Sequence, residues 1–219
     1  MSSLTDRLRQ LDTCAVSDAL DRCGIAGAAM AHLKPLAGGC TVAGIAVTVQ
    51  LGVPSPGTPA SGRHLGTAAV VASGPDDVIV VAHQSRTDCA GWGGLLSRAA
   101  RARGVEGVVV DGAARDLAEA EQVGFPVWAL TGTPVTARTR TSELSWGEPV
   151  DVAGCVVAPG DLVIADRGGV VFVPAARAEE VISTAEGIAA TEAAMAEAIE
   201  QGQPVTEVMG KTYEELTSR

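Results

Sequence analysis

The sequence predicts an α/β fold with a parallel or mixed sheet, a β-rich second half and a long C-terminal helix. Three observations lead to this prediction. Short, valine-rich apolar runs alternate with helical patterns before residue 131, as in βαβ units. Short strand patterns separated by turns follow. An amphipathic pattern then covers 175–202. No linker composition divides the chain, so 1–219 is predicted to be a single domain.

The composition is that of a packed, acidic protein. The chain has 219 residues, of which 47% are hydrophobic, and a formal net charge of −10. Nucleic-acid-binding surfaces need clustered Lys and Arg, so direct binding of nucleic acid is not expected, and any link to RNA would run through a protein partner. Five scattered cysteines without a CxxC pair indicate reduced thiols in a cytoplasmic protein. Neither a signal peptide nor a membrane span is predicted.

Periodicity and turn residues place the elements of the first half. Helices are expected over 4–12 and 15–23, the second capped by Thr13 or Ser17 and ended by Gly24. A strand over 44–52 precedes the long Pro- and Gly-rich loop 53–66, in which Arg63 and His64 either reach a substrate or cap the helix 65–72. The βαβ rhythm follows, with the polar loop 83–91 inside it. Its strands are 78–82, 107–111 and 126–130, and its helices are 94–103 and 115–122.

The second half is predicted to contain five short strands and the final helix. The strands are 135–140, 149–152, 154–158, 161–165 and 170–173. On the helix, apolar residues form a stripe in which Glu192 takes one position. A carboxylate on an apolar face is costly unless a cation or a metal pairs with it. Glu192 is therefore either paired in this way or left in water at the rim of the stripe. The stripe comprises Val181, Ala185, Ile188, Met195 and Ile199.

The candidate site follows the apolar strand 107–111. Asp111, Arg115 and Asp116 place two carboxylates and a guanidinium at the carboxyl end of this strand, where ligands collect in open α/β sheets. Such a set suits a divalent metal and an acidic substrate. The alternative is a helix start whose acids satisfy the helix dipole and whose arginine makes a surface pair. Gly93 and Gly94 precede a helix and would let an anion approach its free N–H groups.

Several other site types are not supported by the sequence. His32, His64 and His83 are far apart and have no partner at ligand spacing, so a zinc site is not expected. Neither a dinucleotide fingerprint nor a P-loop follows a strand. A Gly-x-Ser-x-Gly nucleophile turn is also absent.

Five segments together resemble the family that joins 4-hydroxy-4-methyl-2-oxoglutarate aldolase to the ribonuclease E inhibitor RraA. The DGAARD segment and its spacing to WGGLL are the most specific part of the resemblance. A layered β/β/α fold of the swivelling-domain type is implied. The segments are CAVSDALDRCG, WGGLLSRAARARGVEGVVVDGAARD, GFPVWA, APGDLVIADRGGVVFVP and ATEAAMAEAIEQG.

The resemblance also implies roles for individual residues. Asp116 would bind Mg²⁺ or Mn²⁺, Arg115 would hold the pyruvoyl group, and backbone N–H groups of Gly93, Gly94, Leu95 and Leu96 would hold its carboxylate. Glu192 would enter the site of a neighbouring subunit in a trimer or hexamer. Two departures are evident, because many members carry an acid at the position of Gly94 and an acid is common at that of Arg167.

The function implied is that of a metal-dependent class II aldolase that cleaves a 4-hydroxy-2-oxo acid to pyruvate. Oxaloacetate decarboxylation would be a side reaction, because both reactions share the pyruvate enolate. The alternative is a non-catalytic regulator that binds a protein partner such as a ribonuclease. A methyltransferase is disfavoured, because no glycine-rich cofactor loop follows a first strand.

Overall fold

A nine-stranded sheet runs through the residues that the computed structural model describes, which are 3–26, 28–53 and 64–210. The strands are β1 (Ala29–Met30), β2 (Lys34–Ala37), β3 (Val42–Gly52), β4 (Asp77–Trp92), β5 (Gly107–Ala114), β6 (Val127–Gly132), β7 (Ser142–Trp146), β8 (Val150–Val152), β9 (Cys155–Val157), β10 (Leu162–Ala165) and β11 (Val170–Val173). The helices are α1 (Leu4–Leu8), α2 (Thr13–Arg22), α3 (Thr67–Ala72), α4 (Gly94–Ala102), α5 (Leu117–Gln122), α6 (Ala178–Glu200) and α7 (Val205–Val208), and a 3-10 turn (Ala175–Arg177) precedes α6.

The sheet is mixed, as predicted. Its order is β1-β11-β10-β3-β4-β5-β6-β2, and β7 pairs with β3 outside this path. The strands β3, β4, β5 and β6 run parallel to one another, whereas every pairing that involves β1, β2, β7, β10 or β11 is antiparallel. The β-rich second half is therefore continuous with the α/β half through the β10–β3 pairing. The strands β8 and β9 form a separate hairpin.

The layers follow from the alternation of side chains along the central strands. Ile79 and Val81 face the helices α3, α4 and α5, whereas Val78 and Val80 face the β8–β9 hairpin, and all four are buried. Burial on both faces explains the unbroken valine runs of these strands. At the other end of the sheet, α1, α2 and α6 cover β10 and β11. The hairpin, the sheet and the helices give the layered α/β architecture that the sequence predicts.

The prediction of a loop over 83–91 is wrong, because strand β4 continues through these residues to Trp92. Its pairing with β5 shifts register between Ala82 and Arg86 and again before Ala90 and Trp92. Gln84 and Ser85 take left-handed backbone angles, with φ of 57° and 52°. The hydrogen bonding between β4 and β5 is therefore interrupted by a bulge and then resumes. The polar residues of this bulge are the reason that the segment resembles a loop in the sequence.

The predicted strand 135–140 is also wrong. This segment turns, with the N–H of Thr141 donating to the Ala137 carbonyl at 3.0 Å and Thr139 at φ 65°, and the strand begins only at Ser142. Smaller differences concern the helix ends. The cap of α2 is Asp12, which accepts from the Ala15 N–H, rather than Thr13 or Ser17. The helix predicted over 115–122 begins at Leu117.

Two further expectations concern cysteines and membranes. All five cysteines are free thiols. Across the described parts of the chain, no helix combines the length and the apolar character needed to cross a membrane.

Candidate functional site

Two parallel strands end side by side at the candidate site. Trp92, the last residue of β4, pairs with Ala114, the last residue of β5. The Trp92 carbonyl accepts a hydrogen bond from the Arg115 N–H at 3.0 Å, which fixes the turn that follows β5 to the turn that follows β4. The helices α4 and α5 begin directly after these turns. Their N-termini therefore lie next to each other at the carboxyl edge of the sheet, where ligands of such sheets bind.

A half-open pocket lies at this edge. The predicted residues Gly93, Gly94, Leu95, Leu96, Arg115 and Asp116 all line it. His64 and Leu65 contribute another wall, and Thr136 and Ala137 contribute a third. The structure thus brings together the glycine turn and the Arg-Asp pair. His64 lies at the pocket, where its Nδ1 is 3.0 Å from the Leu65 carbonyl, whereas Arg63 lies outside the described residues.

The first turn of α4 presents free backbone donors to this pocket. The N–H of Ser97 donates to the Gly93 carbonyl at 3.1 Å, and the Gly94 N–H donates to Asp116 Oδ2 at 3.1 Å. Within the described chain, the N–H groups of Leu95 and Leu96 have no acceptor. These donors, with the positive end of the helix dipole, form a cradle for an anion such as a carboxylate. Leu96 is also buried in the core, so the turn is anchored from below.

Asp116 has a left-handed backbone conformation, and its side chain is bound through one of its two carboxylate oxygens. It precedes α5 in the left-handed region, at φ 56° and ψ 37°, a conformation that Asp and Asn tolerate best among residues with a side chain. Its Oδ2 accepts from the Gly94 N–H and lies 3.2 Å from Arg115 Nε. Among the described residues, both the hydrogen bond and the ion pair of this carboxylate use Oδ2. The other oxygen, Oδ1, therefore remains available to a ligand.

The residues of the pocket fit a cation such as Mg²⁺, which takes many of its ligands from water and substrate, better than a metal ion whose ligands are all protein side chains. No group of three or more His, Cys, Asp or Glu in the described ranges could enclose a metal ion. Mg²⁺ is commonly held by one or two carboxylates, with substrate and water oxygens completing the shell. A free carboxylate oxygen beside an anion cradle is such an arrangement. Gly93 keeps the approach open, since a Cβ there would lie 3.2 Å from Asp116 Oδ2.

Asp111 does not belong to the group in which the sequence placed it. Its side chain is only 1% exposed and is absent from the pocket lining. Both carboxylate oxygens are used by Ser85, whose N–H donates to Oδ2 at 3.1 Å and whose hydroxyl donates to Oδ1 at 2.8 Å. Asp111 thus holds the left-handed turn of β4 in place. Its position inside the strand, rather than after it, turns its side chain away from the pocket.

Glu192 is not brought to the pocket within one chain. The first part of the apolar stripe is buried, from Val181 at 0% exposure to Ile188 at 4%, but the stripe then leaves the core, and Ile199 is 40% exposed. Glu192 is exposed and does not line the pocket. Arg167 is also exposed and lies in the turn between β10 and β11, away from the pocket.

Sequence reasoning did not identify Glu119. This residue of α5 directs its carboxylate towards Gly94 and pairs with Arg98 of α4. Its spacing of three residues after Asp116, on the same helix face, was the available signal.

The chain is similar in sequence to several known proteins. The sequence profile of the RraA-like (Aldolase/RraA) family matches residues 13–172. Protein DlpA of Legionella pneumophila is 31% identical over 92% of this chain, and the aligned region spans about a third (32%) of DlpA. A protein of Halalkalibacterium halodurans named "Putative 4-hydroxy-4-methyl-2-oxoglutarate aldolase" is 33% identical, with 82% of this chain and 80% of that protein covered.

Solved structures agree with the fold. An uncharacterized protein from Pseudomonas syringae superimposes with a TM-score of 0.84 at 30% identity, covering 94% of this chain and 96% of the other. RraAS2 of Streptomyces coelicolor, described as an unusual member of the RNase ES inhibitor RraA protein family, gives a TM-score of 0.77 at 26% identity, covering 91% and 96% of the two chains.

Proposed function

The chain belongs to the RraA-like (Aldolase/RraA) family, and on that premise we propose that it is a divalent-metal-dependent lyase acting on small 2-oxo acids. The reaction is cleavage of a 4-hydroxy-2-oxo acid, similar to 4-hydroxy-4-methyl-2-oxoglutarate, to release pyruvate, with decarboxylation of oxaloacetate as a side activity. The observation that carries the proposal is the convergence of Arg115, Asp116 and the free N–H groups of α4 on one pocket. The aldolase names of relatives at about 30% identity support it.

Recognition of the substrate rests on charge and backbone donors. The guanidinium of Arg115 can form paired hydrogen bonds to the carboxylate or the 2-oxo oxygen of a pyruvoyl group. The N–H groups of Leu95 and Leu96 lie at the same pocket and bind the carboxylate from the helix end. Both interactions orient the 2-oxo end, which every substrate in this class shares. The distal end then extends towards the walls made by His64 and Thr136.

Asp116 is the residue proposed to hold the cation, Mg²⁺ or Mn²⁺. Its Oδ1 is free, while Gly94 and Arg115 fix the direction of the carboxylate through Oδ2. When bound, the cation supplies Lewis-acid polarisation of the 2-oxo group, which retro-aldol cleavage and decarboxylation both require. The charged groups that the chain itself contributes are thus oriented before substrate arrives, and a lysine that forms a Schiff base is not needed.

Glu192 is proposed to complete the site of a neighbouring subunit in a homotrimer or hexamer. The support is its exposure on a helix whose apolar stripe continues beyond the core of its own chain. Mixing of two inactive variants tests this idea. Co-refolded Asp116→Asn and Glu192→Gln subunits should regain part of the wild-type activity, because some sites then combine two intact residues. A mixture as inactive as its components would refute a shared site.

The central experiment measures pyruvate release and Mn²⁺ binding in the wild type and in Asp116→Asn. Asparagine keeps the size and tolerates the left-handed backbone of this position, so the variant isolates the loss of charge. We expect pyruvate release in the presence of Mg²⁺ or Mn²⁺ and a loss of both activity and metal binding in the variant. Asp88→Asn, at an exposed ion pair with Arg86, is the matched control. Equal activity in wild type and Asp116→Asn would disprove the proposal.

A second function is favoured by a different observation. The net charge is −10, and the structure resembles RraAS2. A regulator that binds a protein partner such as a ribonuclease would use this acidic surface rather than the pocket. Capture of a stoichiometric ribonuclease complex at moderate salt, undisturbed by Asp116→Asn, would support regulation. Pyruvate release without such a complex would favour the enzyme.

A further inference from the structure

Gly94 is a glycine for reasons of space rather than of backbone conformation. It begins α4, and its φ lies outside the left-handed region, so its backbone is open to any residue. A Cβ at this position would overlap Oε2 of Glu119 and would lie 2.6 Å from Glu119 Cδ and 3.0 Å from Asp116 Cβ. The carboxylate of Glu119 thus takes the volume in which a side chain of residue 94 would stand.

Glu119 is held in this place from two sides. Its N–H donates to the Asp116 carbonyl at 3.0 Å in the first turn of α5, and Arg98 Nε donates to its Oε1. The Glu119 side chain is 31% exposed, so it is more enclosed than a freely solvated glutamate. Among the described residues no donor reaches Oε2, the oxygen that approaches Gly94. One oxygen is therefore anchored and the other is available.

Two carboxylates consequently converge on one pocket residue. Asp116 accepts the Gly94 N–H, and Glu119 fills the space above the Gly94 Cα. Asp116 by itself is a weak cation site, because its Oδ2 is already shared between the Gly94 N–H and Arg115. Mg²⁺ and Mn²⁺ bind through few carboxylates and keep several waters, which need acceptors of their own.

We propose that Glu119 is the second acid of the cation site, a positioning residue that accepts hydrogen bonds from the hydration shell of the cation held by Asp116. The inference rests on the proposed function. The competing role is a surface ion pair with Arg98 that only links α4 to α5 and contributes little to stability. The two roles differ in what they predict for metal affinity.

The experiment measures Mn²⁺ affinity by calorimetry on the 219-residue chain, together with the melting temperature. Glu119→Gln keeps an oxygen acceptor for Arg98 and removes only the charge. We expect it to weaken Mn²⁺ binding about 10- to 100-fold, the range typical of groups that orient metal ligands, with an unchanged melting temperature. Glu119→Asp should recover part of the affinity. Glu121→Gln, exposed on the same helix, is the control and should bind Mn²⁺ as the wild type does.

An exchange of the carboxylate between the two positions separates site chemistry from the ion pair. Glu119→Ala should lose Mn²⁺ affinity, and the double variant Gly94→Asp/Glu119→Ala should regain part of it, because it returns a carboxylate to the same space from α4. An ion-pair role, which contributes little, predicts instead that Glu119→Ala binds Mn²⁺ as the wild type does, so that there is no loss for the double variant to restore.

The outcomes distinguish this inference from the proposed function. If Asp116→Asn abolishes Mn²⁺ binding while Glu119→Gln leaves it at the wild-type level, Glu119 has no part in the site and only this inference is overturned. If the wild type neither binds Mn²⁺ nor releases pyruvate, the proposed function fails and the role of Glu119 fails with it. Weakened binding in Glu119→Gln with rescue by the double variant supports both.

Discussion

The carboxylate of Asp116 accepts a hydrogen bond from the N–H of Gly94 at 3.1 Å, across 22 residues of sequence. This contact joins the N-terminus of α5 to that of α4. It also sets the distance between the residue proposed to hold the cation and the backbone donors proposed to hold the substrate. The consequences can be tested at several positions.

Gly93→Ala tests how closely the site is packed. The backbone of Gly93 is extended, at φ −157°, so alanine causes no backbone strain. Its Cβ would lie 3.2 Å from Asp116 Oδ2 and 3.4 Å from Arg115 Nε, which displaces the ion pair slightly. We expect about a tenfold loss of metal affinity, at the lower end of the range for groups that orient a ligand, with little change in melting temperature. Wild-type affinity would mean that the Arg115–Asp116 geometry is not critical.

Arg115→Lys tests recognition of the pyruvoyl group. Lysine keeps the charge but loses the planar fork that bonds a carboxylate at two points. A hydrogen bond to a charged group contributes about 1.5–3 kcal/mol, so kcat/KM for pyruvate release should fall roughly 10- to 100-fold. Arg101→Lys, on the exposed surface of α4, is the control and should retain wild-type kinetics. A variant Arg115→Lys with unchanged kinetics would assign the carboxylate to the α4 N–H groups alone.

Asp111→Ala tests the assignment of this buried acid to the fold. Both oxygens of Asp111 accept from Ser85, so the variant should lose about 1.5–3 kcal/mol of unfolding free energy, measured by urea denaturation. Ser85→Ala removes only the hydroxyl bond and should cost less. Metal affinity per folded molecule should stay near that of the wild type in both variants. A collapse of metal affinity in Asp111→Ala as complete as in Asp116→Asn would place Asp111 in the cation site instead.

His83 makes the stability depend on pH. Burial lowers its pKa below the ordinary value of 6.5, and the hydrogen bond of Nε2 with the Cys89 carbonyl opposes this only in part. Between pH 6.5 and the lowered pKa of the folded state, the unfolded chain binds more proton at this residue than the folded chain does, so the contribution of His83 to stability is present above pH 6.5 and is lost as the pH falls towards that lowered pKa. The loss can reach about 1.4 kcal/mol per pH unit for one proton.

The measurement is urea denaturation between pH 7 and pH 5. His83→Gln should show a shallower loss of stability over this interval, whereas His32→Gln, at an exposed position, should follow the wild type. An identical slope in wild type and His83→Gln would show that the buried imidazole does not resist protonation.

The sequence alone predicted the α/β architecture and the place at which the candidate-site residues meet. Valine-rich strands alternating with helices predicted the parallel strands β4, β5 and β6, because local periodicity and the rules for βαβ connections are sufficient for this. The same rules place the ends of β4 and β5 together, so that the glycine turn and the Arg115–Asp116 pair had to meet. The bulged course of β4 and the turn at 137–141 escaped prediction, because left-handed residues such as Ser85 and Thr139 carry no local signal.

Only the tertiary structure decided the direction of each side chain. Asp111 and Asp116 are both aspartates near the end of the same strand, and the sequence does not distinguish their roles. Asp111 is buried against Ser85, whereas Asp116 lines the pocket. The reason is that Asp111 lies within strand β5 and Asp116 lies at the start of α5, so their side chains point in different directions. The role proposed for Glu119 depends on the packing of α4 against α5, which brings the Glu119 carboxylate over Gly94. Contacts of this kind join residues distant in sequence, and their distances depend on how whole elements pack rather than on any local pattern.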